Sequence, residues 1–144
     1  MFYDELVAPE PAKFQFMLHG LKAFAIDASA ARLRIDQPKA GLEVAYLSPV
    51  PLTFQQTDGF NPPPTREFPN QWHVEAGTRE LRKELGMISV VVPYRAGKSP
   101  AWQANRVEDV ETTAVEVTID GRRHRLSFPR PGTDGGVDVM LPPN

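Results

Sequence analysis

Cysteine is absent from all 144 residues, which excludes disulfides and thiolate metal sites and leaves the redox compartment unread. Charge of one sign is equally scarce: 16 basic and 18 acidic residues are interspersed, for a net charge of −2. Without a basic block there is no electrostatic footprint for nucleic acid or for an anionic membrane surface, and neither is expected as a partner. No apolar run approaches the roughly 20 residues that cross a bilayer. The opening MFYDELVAPEP has neither a basic leader nor an unbroken apolar segment, so no export signal is read in it. The signatures of acyl-transfer, nucleotide and zinc-protease chemistry are missing as well: there is no GxSxG elbow, no glycine-rich phosphate loop after a strand and no HExxH. PGTDGG at 131–136 lacks the Lys-Ser/Thr and the helix that a phosphate loop requires, and reads as a turn.

What the chain has is proline, glycine and short alternating runs. Fifteen prolines and ten glycines cut it into segments too short for helices of ten or more residues. With 41% hydrophobic residues, a chain of this length has enough apolar surface for one domain spanning 1–144 with a real core. FYDELV, KFQFMLH, RLRID, GLEVAYLS, LTFQQT, QWHVEAG, GMISVVVPY, TAVEVTID, RHRLSFP and VDVML read as strands. ISVVV is apolar on both faces, which predicts a central strand covered on both sides, whereas AVEVTID alternates and predicts cover on one. Asp120-Gly121 supplies the positive backbone dihedrals of a tight hairpin between Val115, Val117, Ile119 and His124, Leu126, Phe128. The expected fold is all-β, an antiparallel two-layer β-sandwich.

Two segments depart from that pattern. TRELRKELG has helical composition, but only enough length for about two turns before Gly86, so a short helix and a charged loop are both compatible with it. TDGFNPPPTREFPN, residues 57 to 70, holds four prolines and cannot enter a ladder, because proline lacks the backbone donor. It is expected to be a long loop, and its prolines lower the entropy lost on ordering it.

Candidate functional residues are few. His19, His73 and His124 are each isolated in sequence, and a lone histidine on a strand is more often structural than ligating. In KFQFMLHG, His19 shares a face with Lys13, Gln15 and Met17, opposite Phe14, Phe16 and Leu18. Phe54, Phe60, Phe68, Trp72 and Trp102 lie in or beside proline-rich segments, where an exposed ring could stack on a sugar. Trp72 shares a face with Val74 and Ala76 and reads as core, while Trp102 is open to either reading. Phe60, its neighbour Asn61 and Trp102 are the candidate substrate-binding residues.

FYDELVAPEPAKFQFMLHG, GLEVAYLSPVPLTFQQTDGFNPPP, NQWHVEAGT and MISVVVPYR, in that order, resemble the β-sheet portion of heparinase II/III-like polysaccharide lyases over roughly residues 2 to 128. The matching features are Tyr3-Asp4 at a strand, the aromatic-x-aromatic-x-Leu-His run from Phe14 to His19, and the later Leu-x-Phe-x-Gln and Trp-x-Val segments. The resemblance implies a β-sandwich that lines a saccharide cleft and packs on a helical toroid. In such lyases the toroid supplies most of the groups for β-elimination of uronic-acid-containing polysaccharides, so this chain by itself is expected to be inactive. It further implies an acidic polysaccharide and a toroid domain as partners, self-association through a bare face, and a periplasmic or extracellular setting. Some members hold zinc in the β region; His19 would then be one metal ligand in an intact homologue, with Asp4 as a polar neighbour across a strand pair and no cofactor bound by this chain alone. The alternatives are a stand-alone carbohydrate-binding module and a purely structural β-sandwich.

Overall fold

The computed structural model describes residues 1–108, 110–129 and 136–141. Its hub is β8 (Arg82–Arg95), the strand that contains the doubly apolar ISVVV. Alternation sends Leu85 and Met87 to one core and Ile88, Val90 and Val92 to another. Charged side chains at these positions would be desolvated, which is why the run is apolar apart from Ser89, itself buried. β8 pairs on one side with β1 (Phe2–Ala12) and on the other with β5 (Ala40–Leu47). β4 (Arg32–Asp36) and β3 (Ala25–Asp27) continue the sheet in the order β1-β8-β5-β4-β3, every pair antiparallel.

A three-stranded sheet covers one face, with β7 (Trp72–Thr78) between β2 (Gln15–Gly20) and β6 (Leu52–Asp58). Val74 and Ala76 pack there against Leu33, Val44 and Met87, and Tyr46 sits between the rings of Phe16 and Phe54 at 6.2 and 6.1 Å. A four-stranded sheet covers the other face, in the order β12 (Asp138–Met140), β11 (Arg122–Pro129), β10 (Thr112–Ile119), β9 (Trp102–Glu108). Its Val115 and Val117 meet Ile88, Val90 and Val92. The protein is an antiparallel β-sandwich, and the expected two-layer packing occurs twice about one shared five-stranded sheet. Met87 and Ile88 are fully buried, so truncating either to alanine falls in the range of about 2–5 kcal/mol for core cavities.

The hairpin at Asp120-Gly121 is present, with φ of 47° and 79° and Ile119 directly opposite Arg122. Elsewhere the structure corrects the sequence reading. TRELRKELG is neither a helix nor simply a loop: Arg82–Leu85 belong to β8, because Leu85 pairs with Leu6 and is buried. Packing of one leucine outweighs a helical propensity of a few tenths of a kcal/mol per residue. Two strands escaped the periodicity. β3 has three residues, and β9 places Trp102, Ala104 and Arg106 on its inner face, so its apolar signal is diluted by an arginine. Asp4 and His19 are not neighbours across a strand pair: Asp4 opposes Met87 in the central sheet, and His19 lies in the three-stranded sheet. The turn expected at 131–136 falls, except for Gly136, outside the described residues.

Candidate functional site

The outer face of the three-stranded sheet brings together residues that are far apart in sequence. Because strands expose alternate side chains, the face is built from Gln15, Met17 and His19 of β2, His73 and Glu75 of β7, and Thr53, Gln55 and Thr57 of β6. The register aligns them in rows, with His19 opposite His73 opposite Thr57, and Met17 opposite Glu75 opposite Gln55. Gln15 Nε2 donates to Glu75 Oε1 at 2.6 Å. The rings of His19 and His73 meet edge to face, with centroids 4.5 Å apart at 80°.

The proline-rich loop rises beside this face. Its neck is closed by Gly59 N donating to Gln71 O at 2.9 Å and by Asn70 Nδ2 donating to Asp58 Oδ2 at 3.0 Å. Gly59 has φ of 88°, a conformation that glycine adopts without a Cβ penalty. His73 Nε2 lies 2.5 Å from Gly59 O. A carbonyl only accepts, so this nitrogen carries its proton. Phe60 then stands edge-on to the His73 ring, with centroids 6.1 Å apart at 78°. The result is a shallow shelf with an aromatic wall, two imidazoles and a row of amide and hydroxyl groups. Such a surface suits a hydroxyl-rich ligand with flat apolar ring faces, since rings and amides can contact it together.

Of the candidates named from sequence, Phe60 and His19 lie on or beside this shelf, and Asn61 follows Phe60 into a cis bond with Pro62. Trp102 does not join them. It sits on the far side of the central sheet, half-buried, with Nε1 donating to Glu43 Oε2 at 2.6 Å and the Arg32 guanidinium 4.4 Å over its ring. One ring face and the N–H are thus already engaged. Around it, Arg34 Nε donates to Asp36 Oδ2 at 2.8 Å and Tyr94 Oη donates to Asp36 Oδ1 at 2.8 Å. The Arg34 bond, then the Tyr94 bond, hold the Asp36 carboxyl below its ordinary range, while burial first and donation to Asp36 second raise Tyr94.

His73 was not singled out by sequence. Its position beside Trp72 and Val74 shows only that it faces away from the core, and its meeting with His19 depends on a register across more than fifty residues. The two imidazoles form a close pair, but no group of three histidine, aspartate or glutamate side chains suited to a metal occurs among the described residues. Three protein ligands are usual for an open zinc site, so these residues do not fit one.

The fold is shared with a heparinase III. A solved structure of that protein, with methylated lysines, superposes with a TM-score of 0.61 at 15% identity, covering 88% of this chain and 21% of that chain. At this identity the likeness concerns fold, and the chain spans about a fifth of the length of that neighbour. The sequence matches no protein-family model and no curated protein sequence.

Proposed function

We propose that this chain is a non-catalytic, saccharide-contacting β-sandwich of the heparinase II/III-like kind. It would line a cleft for an acidic, uronate-containing polysaccharide and pack beside a helical toroid. The observation that carries the reading is the shelf of Phe60, His73 and His19, with its flanking amides, on a fold resembling part of a heparinase III. β-Elimination requires a group that neutralises the uronate carboxylate, a base that removes the C5 proton and an acid that protonates the leaving O4. The role assigned to the shelf is positioning: the Phe60 ring offers an apolar face, and Gln55, Thr57 and Glu75 offer partners for hydroxyl groups. Zinc has no step in this reading.

Binding of size-defined heparin, heparan sulfate and alginate oligosaccharides by calorimetry tests it. An aromatic contact of about 1 kcal/mol corresponds to a five- to tenfold change in affinity, and Phe60→Ala and His73→Ala should each weaken binding by that factor. The chain alone should produce no ultraviolet-absorbing unsaturated uronate from any of these. Affinity indifferent to both substitutions would remove the shelf from the function, and turnover would show that a complete acid-base pair lies in this chain.

A further inference from the structure

On the opposite side of the central sheet, Arg32 is the anomaly among the half-buried arginines. Arg106 donates to Gly86 O at 2.6 Å and Leu47 O at 3.3 Å and pairs with Glu108. Arg125 pairs with Glu116 at 2.9 Å. Arg32 has the Trp102 ring beneath it and makes no hydrogen bond to the described residues; its electrostatic partner is Asp27, directly opposite it in the β3–β4 pair. Its five N–H donors are therefore open to a ligand.

The nearby carboxylates accept hydrogen bonds from other groups, although Asp27 also attracts Arg32 across the β3–β4 pair. Glu43 accepts from Trp102 Nε1 and from Ser99 Oγ at 2.7 Å, Asp36 accepts from Arg34 and Tyr94, and Asp27 Oδ1 accepts from Ser29 N, Ser29 Oγ and Ala30 N. In front of Arg32 lies a groove of about 280 Å³, bounded by Ala25, Ile26, Asp27, Arg34 and Glu43. That volume is at the small end of ligand clefts, enough for one sugar unit and its charged substituent rather than a length of chain.

We infer that Arg32, propped on Trp102, receives the carboxylate or sulfate group of an acidic saccharide seated in this groove, a second contact separate from the Phe60–His73 shelf. The inference rests on the reading of an acidic saccharide as partner. A guanidinium held over an indole keeps its planar donor fork free, and such a fork matches a bidentate oxyanion. Trp102 thus acts as a positioning residue for Arg32 rather than as a platform for a sugar ring. Asp27, Asp36 and Glu43 outnumber Arg32 and Arg34 by one charge, so no long-range field draws an anion in; recognition depends on directed donors, and its salt dependence is shallow.

The chain has two tryptophans, so Trp72→Phe leaves Trp102 as a single fluorescent reporter beneath Arg32. In that background, alginate oligosaccharides, which carry carboxylates alone, and dextran sulfate, which carries sulfates alone, are titrated against neutral dextran. A saturable change in Trp102 emission with one or both anions and none with dextran is expected, and the anion that responds identifies the group received. Arg32→Lys, which keeps charge and stem but loses the fork, should weaken the response about tenfold, and Arg32→Ala should abolish it. Should Arg32→Ala fail to fold, Arg32→Lys carries the comparison. The response should survive Phe60→Ala and His73→Ala, so failure of the shelf and failure of this groove are distinguishable. No response to either anion, an equal response to dextran, or full affinity in Arg32→Lys overturns the inference.

Discussion

Gly41→Ala probes how the central sheet is built beside Arg34. Gly41 lies in register with both Tyr94 of β8 and Asp36 of β4, and the Tyr94 ring crosses over it to reach Asp36. A Cβ at position 41 would sit 2.2 Å from Tyr94 Cζ and 2.4 Å from its hydroxyl oxygen, so the ring must leave. Overpacking of this kind is worth about 1–3 kcal/mol. Losing the hydroxyl bond to Asp36 adds about 1 kcal/mol, the worth of an ordinary hydrogen bond rather than of one to a buried charge, because the Asp36 side chain is 55% exposed. The sum is about 2–4 kcal/mol, or roughly 5–15 °C in Tm for a chain of this size. Urea unfolding measures it, with Tyr94→Phe as the control that removes the hydroxyl alone and loses about 1 kcal/mol. In a Tyr94→Ala background the clash is gone, and Gly41→Ala should be nearly neutral. An equal loss in both backgrounds would refute the argument, since the damage would then not pass through the ring.

Other expectations follow from the same geometry. His19→Ala removes an exposed side chain from the sheet's outer face and should lower stability by no more than about 1 kcal/mol; a loss of several kcal/mol in urea would make it a buried structural residue. His73→Ala removes the bond to Gly59 O and the contact to Phe60, so trypsin should cut at exposed Arg66 about fivefold faster, as expected when opening becomes about 1 kcal/mol easier; unchanged cleavage would mean the loop is held otherwise. Burial pushes the Tyr46 hydroxyl up to about 12 from 10.0. A group raised in the folded state contributes stability that is full below pH 10 and is lost as pH rises through 12, so Tyr46→Phe should reduce the alkaline fall measured between pH 9 and 12. Asp36 is depressed, so its contribution is present above the ordinary aspartate range and disappears as pH falls through its lowered value; Asp36→Asn should flatten the acid limb of the unfolding profile.

The sequence by itself determined the local geometry. Period-two alternation placed Val115, Val117, Leu126 and Phe128 on inner faces, Asp120-Gly121 set a two-residue hairpin, and ISVVV called for cover on both sides, all of which follow from strand pleating and backbone sterics within a few residues. The same rule put His19 on the solvent side and Trp72 with Val74 and Ala76. Only the tertiary structure decided which distant strands would meet. Register between β2 and β7 is set by packing across a separation of more than fifty residues, so the pairing of His19 with His73 has no local signature. Leu85 drew a helix-like segment into β8 because burial there is worth more than intrinsic propensity. RLRID showed that Arg32 lies opposite Leu33 and Ile35, but whether water, an acid or an indole would face it depended on where the four-stranded sheet came to rest. Alternation encodes the direction of each side chain along its own strand, and what stands in that direction is fixed only when the layers pack.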